Sequence, residues 1–226
     1  MKSNIYIMLE KFFNRNIIDI AKELNYDEDN ILILESNENE LKLKYKETYD
    51  NLKSCVHNRD DRTLIAYAQD LVCSWIFEDY LLVKLKECGL NIELSGTDKK
   101  RKLLNSKKIG STSDYIVTYD NKKAFIELAN DYKGYWNKNK VCDLRDDKFL
   151  HIKNMSSNAE YSFLLGIDFL NSKFFIMDLL KSNENISYKE YHWAYHKPVY
   201  SIDLSNIKYY DFSFSNIASK ITSFIE

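Results

Sequence analysis

The chain has 226 residues, 32 Lys+Arg against 34 Asp+Glu, a formal net charge of −2, 45% hydrophobic and 14% aromatic positions, one Pro and five Gly. This composition suits a globular chain with one sizeable core and excludes disordered, collagen-like and low-complexity classes. No apolar run approaches the roughly 18 residues of a membrane span, and the first residues contain no secretory h-region, so a soluble cytoplasmic protein with no membrane partner is expected.

Residues 1–60 alternate short apolar stripes with Asn-, Asp- and Glu-rich breaks, as in Ile5 to Leu9, then Phe12 to Ile20, then Ile31 to Leu34. That spacing predicts a mostly helical N-terminal part. Asp60-Asp61-Arg62-Thr63 then caps a long helix. Its apolar positions Leu64, Ala68, Leu71, Val72, Trp75, Leu82 and Leu85 keep helical spacing until Gly89 ends it. Leu90 to Leu94 alternates at period two and predicts a short strand. A basic segment follows, Lys99, Lys100, Arg101 and Lys102, then Lys107 and Lys108, before the loop Gly110 to Ser113.

Asp114 to Tyr119 and Ala124 to Ala129 read as two strands joined by Asp120-Asn121-Lys122-Lys123, residue types suited to a hairpin turn. A polar helix is expected next, with Val141, Leu144, Ile152 and either Phe149 or Lys148 on its inner side. Tyr161 to Leu170 and Lys173 to Leu180 predict paired strands around Asn171-Ser172. The Tyr-rich tail from about residue 186 closes with an amphipathic helix, Ile217 to Ile225. The expected fold is α/β or α+β, a mixed central sheet flanked by helices in one domain without a boundary.

Two carboxylates stand out. Across a tight hairpin, Asp114 and Glu127 fall at the same end of adjacent strands, where a strand spacing of roughly 5 Å lets both reach one hard divalent cation. Glu78 falls on the apolar face of the long helix, where an unpartnered carboxylate is expensive, so a cation or a donor is expected for it. The basic segment leads straight into Asp114. A second set of basic residues, Lys133, Lys138, Lys140, Arg145, Lys148 and Lys153, interleaves with Tyr132, Tyr135 and Trp136, a mixture that can hold phosphates and stack on bases. Four cysteines, Cys55, Cys73, Cys88 and Cys142, lack CxxC spacing and are expected to be buried small hydrophobes rather than disulfides or zinc ligands. His192 and His196 are four apart, but the surrounding residues suit strand and turn rather than a zinc-binding helix face. No nucleotide-loop, dinucleotide or serine-hydrolase motif occurs.

Together these features resemble the PD-(D/E)XK nuclease superfamily, the fold of many type II restriction endonucleases, over about residues 62–180. The resemblance implies a restriction-endonuclease-like core with Asp114 and Glu127 as Mg²⁺ ligands and Glu78 as a further ligand or water-orienting group. Two departures are plain. Ser113 stands where the family has Pro, and Ala129 stands where the family has the Lys that helps the attacking water. Lys133 is the expected displaced lysine, with Lys107 and Lys108 next. The implied activity is Mg²⁺-dependent hydrolysis of double-stranded DNA by a homodimer at a palindromic site, with a lean toward A·T-rich sequence. DNA contacts would come from Lys99, Lys100, Arg101, Lys102, Lys107, Lys108, Tyr132, Trp136, Lys138 and Lys140. The alternatives are a DNA-binding or interaction protein on a degenerate nuclease fold, and a repair or defence nuclease acting on RNA or branched DNA.

Overall fold

The computed structural model describes residues 2–54, 62–96, 99–102, 112–155, 161–192 and 196–226. The backbone divides into two compact units, Met1–Tyr80 with Asp98–Ile109 and Leu81–Thr97 with Gly110–Glu226. The division runs through α6 (Leu64–Glu87), whose unbroken apolar pattern carries no mark of it. Among the described residues no helix is long and apolar enough to cross a membrane.

The first unit is helical, as expected. It holds α1 (Asn4–Phe13), α2 (Ile17–Glu23), α3 (Glu28–Glu35), α4 (Glu38–Lys44), α5 (Lys46–Ser54) and the first part of α6. The polar breaks between its apolar stripes are helix starts. Side chains of Ser3, Asn16, Asp27 and Asn37 accept the backbone N–H of Tyr6, Ile18, Asn30 and Glu40, satisfying donors that a first helical turn leaves open. For α6 the described cap is Thr63, whose hydroxyl accepts from Ala66 N; Asp60 and Asp61 lie outside the described residues. Tyr6, Leu9, Ile17, Ile20, Ile33, Leu41, Leu52 and Phe77 are buried. Within this core Gln69 bridges two elements, accepting from Ser3 N at 3.2 Å and donating to Ile33 O at 3.0 Å.

The second unit is α+β. A six-stranded sheet has the order β1 (Ile92–Leu94), β2 (Tyr115–Tyr119), β3 (Lys122–Asp131), β5 (Tyr161–Asp168), β6 (Lys173–Asp178) and β9 (Tyr210–Asp211). Its pairs are antiparallel except β3 with β5, which is parallel. Asp120 and Asn121 make the β2–β3 turn with φ of 46° and 65°, the left-handed pair that a two-residue hairpin needs to match strand twist. A parallel neighbour requires a crossover, and the chain supplies it through α7 (Tyr135–Asn139), β4 (Val141–Arg145) and α8 (Asp146–Met155).

Here the structure corrects the expected polar helix. Residues 141–145 form a strand, burying Cys142 and Leu144 while Asp143 and Arg145 face the other way, and only residues from Asp146 are helical. The period-two alternation is five residues long and runs directly into a helical one, so a single helical window absorbs both. β4 joins two strands of the Tyr-rich tail, β7 (Ile186–His192) and β8 (Lys197–Asp203), in a three-stranded antiparallel sheet of order β4-β8-β7. α9 (Phe214–Ile225) ends the chain as an amphipathic helix, as predicted.

The two faces of the central sheet have different neighbours. Leu164 joins a buried cluster with Trp136, Cys142, Leu144, Phe149, Ile152, Phe175, Met177 and Ile202, which packs α8 and the second sheet onto one face. Phe163, next along β5 and so pointing oppositely, meets Phe224 of α9 at 5.7 Å between ring centroids. Gly166 permits the packing of the neighbouring strand: it pairs with Phe175, and a Cβ there would lie 2.1 Å from that ring. Phe175 in turn packs edge-on to Trp136 at 5.4 Å and Tyr209 at 5.5 Å, so the ring cannot swing aside without disturbing the cluster. Gly166→Ala is therefore expected to destabilise the protein by about 1–3 kcal/mol, the usual cost of overpacking, read as a lower denaturant midpoint with unchanged m-value.

Candidate active site

Asp114 precedes β2 and donates its N–H to Ile126 O at 3.0 Å. The paired register ends at Tyr115–Ile126, so Asp114 leaves the ladder there, one step off it, and its charge acts on the Glu127 carboxyl of the neighbouring strand. The carboxylate of Asp114 is oriented by the backbone, Oδ2 accepting from Leu128 N at 2.7 Å. Ser113, in the place of the family proline, is buried, and its hydroxyl lies 3.3 Å from that of Ser95 at the end of β1.

Glu127 pairs with Leu164 across the parallel step and therefore points to the face that α8 covers. Its side chain is only 2% exposed. Oε1 is hydrogen-bonded and ion-paired to Lys148 Nζ from the first turn of α8, whereas Oε2 is buried and accepts no hydrogen bond. Burial first, and then the charge of the facing Asp114, push the Glu127 carboxyl from its ordinary value near 4.5 up to about 8, against the lowering influence of Lys148 and Arg145. A buried carboxylate with a second, half-buried one near it lacks positive charge, and one lysine does not make up the deficit.

The lysine that reaches Glu127 is thus Lys148. Lys133, the expected replacement, is exposed, with its ammonium 5.3 Å from the ring centroid of Tyr132. Ala129 explains the relocation. It is partly buried and packed against the Trp136–Leu144–Phe175 cluster, where a lysine would carry its charge into apolar surroundings. α8, lying over the same sheet face, delivers an ammonium from above instead. The sequence held a faint sign of this, since Lys148 stands four before the inward Ile152 and hence on the same side of the helix.

Other expected site residues have different places. Glu78 and Arg101 both belong to the first unit and hold each other: Arg101 NH1 lies 2.9 Å from Glu78, while Nε and NH2 grip Asp79 at 3.1 Å and 2.7 Å. Glu78 has thus found a donor, Arg101, within its own unit. Arg101, only 8% exposed, is a structural cation, not a surface DNA contact; its backbone carbonyl also accepts from Asn30 Nδ2 at 2.7 Å. Tyr26 donates to Asp79 at 2.6 Å, and burial followed by the Asp79 charge pushes its phenol well up. Trp136, expected on DNA, is 5% exposed and belongs to the core cluster. Tyr132 is half-buried, while Lys99, Lys100, Lys102, Lys138 and Lys140 are exposed and available for a polyanion. Lys107 and Lys108 lie outside the described residues.

Cys73 and Cys142 are buried free thiols, as expected, whereas the Cys88 thiol, at the end of α6, is exposed; Cys55 lies outside the described residues. His192 and His196 take separate partners, Asp143 and Tyr191. Among the described residues no group of three or more His, Cys, Asp or Glu converges on a metal position. The residues nonetheless suit Mg²⁺, which binds through one or two carboxylates and completes its shell with water and phosphate oxygens. The buried Oε2 of Glu127, which accepts no hydrogen bond, and the neighbouring carboxylate of Asp114 are the oxygens that fit such a cation.

No family model and no curated protein matches this chain. Among solved structures it is similar to Hjc, a Holliday junction resolvase from Archaeoglobus fulgidus, at 13% identity over 62% of this chain and 97% of that chain, with a TM-score of 0.37. A likeness of that size decides nothing about activity, so the functional reading rests on the site's geometry.

The raised carboxyl has a measurable consequence for the metal-free protein. The folded state holds the Glu127 proton more tightly than the unfolded chain does, so stability falls as pH rises from near 4.5 through about 8. Glu127→Gln removes that loss. Its melting temperature should exceed that of the wild type in chelator above pH 8, and the gap should close as the pH falls toward the ordinary carboxyl range. Addition of Mg²⁺ should raise the wild-type melting temperature and leave that of the variant unmoved. A variant less stable than wild type at high pH would contradict this charge assignment.

Proposed function

We propose that this chain is a divalent-metal-dependent DNA endonuclease, and in its specific form a type II restriction enzyme that cuts double-stranded DNA as a homodimer at a palindromic site. The observation that carries the reading is the buried Glu127 beside Asp114, with one oxygen unpartnered and the other bound to Lys148. The charge of Asp114 acts on the same Glu127 carboxyl, so the pair with Lys148 leaves negative charge that a cation would meet.

Asp114 and Glu127 would hold the cation. When bound, Mg²⁺ supplies Lewis-acid polarisation of the scissile phosphate and acidifies a water at neutral pH. The protein's part is positional. The Leu128 N–H fixes Asp114, and the sheet register fixes Glu127. Lys148, whose side chain is 30% exposed, stands between the carboxylate and solvent, where an ammonium can meet the charge that develops on phosphate oxygens during in-line displacement. A two-fold dimer would place one such site on each strand of a palindrome. The exposed Lys99, Lys100, Lys102, Lys138 and Lys140 supply sequence-independent attraction to the duplex.

The degenerate-fold alternative draws on Ala129, and Lys148 weakens it by restoring the missing cation from another element. The test is digestion of a sequenced plasmid with and without Mg²⁺, followed by mapping of the ends. A discrete, Mg²⁺-dependent band pattern supports the restriction reading. Cutting confined to branched or RNA substrates would replace it with the repair or defence reading, and no cutting of any nucleic acid would end the enzymatic one. Asp114→Ala and Glu127→Gln should abolish cleavage. Lys148→Ala should lower the single-turnover rate by about 10²–10³-fold at little change in DNA affinity, and Lys133→Ala should cut normally. A Lys148→Ala variant of full rate would remove that residue from the mechanism.

A further inference from the structure

The second sheet has a polar face that the active-site argument leaves unused. Along β4, Cys142 and Leu144 point into the core, so Asp143 and Arg145 share the opposite side. The register continues that side across the sheet: Arg145 pairs with Val199 of β8, which is fully buried, and Val199 pairs with Lys189 of the edge strand β7, so the two cations flank an apolar centre. Arg145 and Lys189 thus stand in one cross-strand row, two strand spacings or about 10 Å apart. At its inner end the row adjoins the active site through the chain itself, because Arg145 ends β4 where α8 begins and Lys148, three residues on, is bonded to Glu127. At its outer end Lys189, with a 45% exposed side chain, lies at the sheet edge.

Beneath the row is a buried support. The Asp143 side chain is 3% exposed; it accepts from Tyr135 Oη at 3.0 Å and from Ser201 Oγ, and lies 3.3 Å from His192 Nε2 and 3.6 Å from Lys189 Nζ. Its charge is shared among those groups, and the Lys189 ammonium lies beside it on a side chain that stays half-exposed. Arg145 touches Asp147 at 3.3 Å in a pair with half-exposed side chains. Such a surface pair contributes roughly 0–1 kcal/mol, so a guanidinium held this way can turn to a phosphate, its better bidentate partner.

We infer that Arg145 and Lys189 form a phosphate track on the β4-β8-β7 sheet, which holds the backbone of the strand being cut as it leaves the Asp114–Glu127–Lys148 site. The inference rests on the nuclease reading and extends it by naming where the substrate strand runs. The ligand chemistry is a row of phosphodiesters, and charge complementarity is the reason: two surface cations in register lead away from a centre that must itself bind a phosphate. Lys189 is a substrate-binding residue in this arrangement, and Asp143 is a positioning residue behind it.

The test is fluorescence anisotropy of the full chain with labelled duplex DNA in chelator across a salt series, paired with steady-state cleavage in Mg²⁺. Lys189→Gln should weaken binding severalfold and reduce the slope of log K against log salt by about one, with Arg145→Gln adding about one more. Lys189→Gln should raise KM with little change in kcat, and Lys189→Arg should restore the slope. Lys123→Gln, on an exposed residue at the far hairpin, should leave the slope unchanged; an equal loss there would mean diffuse attraction and overturn the track. Melting curves separate unfolding from lost contact, and should Lys189→Gln fail to fold, Arg145→Gln alone must still lose about one unit of slope. Wild-type DNA binding that none of these variants alters overturns the track and leaves the nuclease reading standing. A wild-type chain that neither binds nor cuts DNA overturns both.

Discussion

A carboxylate held inside a sheet is the constraint around which the second unit is arranged. Glu127 lies on β3 with 2% of its side chain exposed, and the charge of Asp114 acts on it. Neither a strand neighbour nor water can supply the positive charge those two groups need. The chain answers in part with Lys148 and Arg145, both delivered by the β4–α8 segment that crosses from β3 to β5. The same crossover that makes β3 and β5 parallel therefore brings cations to the carboxylates. Topology and charge balance have one solution here.

The alanine at position 129 shows how packing redirects chemistry. Its side chain meets the cluster that binds α8 and the second sheet to the central sheet, and that cluster supplies much of the apolar burial holding the site rigid. A lysine there would serve the carboxylates only by opening the core. Moving the cation to α8 keeps both functions, because a helix lying above the sheet can direct a long side chain down onto it from a partly solvated position. Gly166 plays a related part, since its missing Cβ is the space in which Phe175 lies.

The charges of the first unit are used differently. Arg101, in the midst of a lysine-rich segment, is drawn inward by Asp79 and Glu78 and fastens residues 99–102 to α6. Its neighbours Lys99, Lys100 and Lys102 stay in solvent. One arginine thus anchors the segment while the lysines carry its surface charge, a division that follows from the planar, multi-donor guanidinium matching two carboxylates where an ammonium would match one.

Much of the local structure was legible in the residues. Helical spacing gave α6 and α9, the turn residues between Asp120 and Lys123 gave the β2–β3 hairpin, and the hairpin brought Asp114 near Glu127, because each of these depends on neighbours close in sequence. What tertiary structure decided are the cases in which one residue type has two physical uses. Val141 to Arg145 could join a helix or pair with a distant strand, and β8, more than fifty residues later, settled it. Arg101 and Trp136 had the composition of a nucleic-acid surface and became interior because Asp79, Glu78 and Phe175 were there to receive them. Lys148 could have been any solvated helix lysine until the crossover laid α8 over Glu127. Sequence determines periodicity and chemical type along the chain, whereas the burial that turns a charge into an anchor or a site residue is set by residues far away in the chain that fold against it.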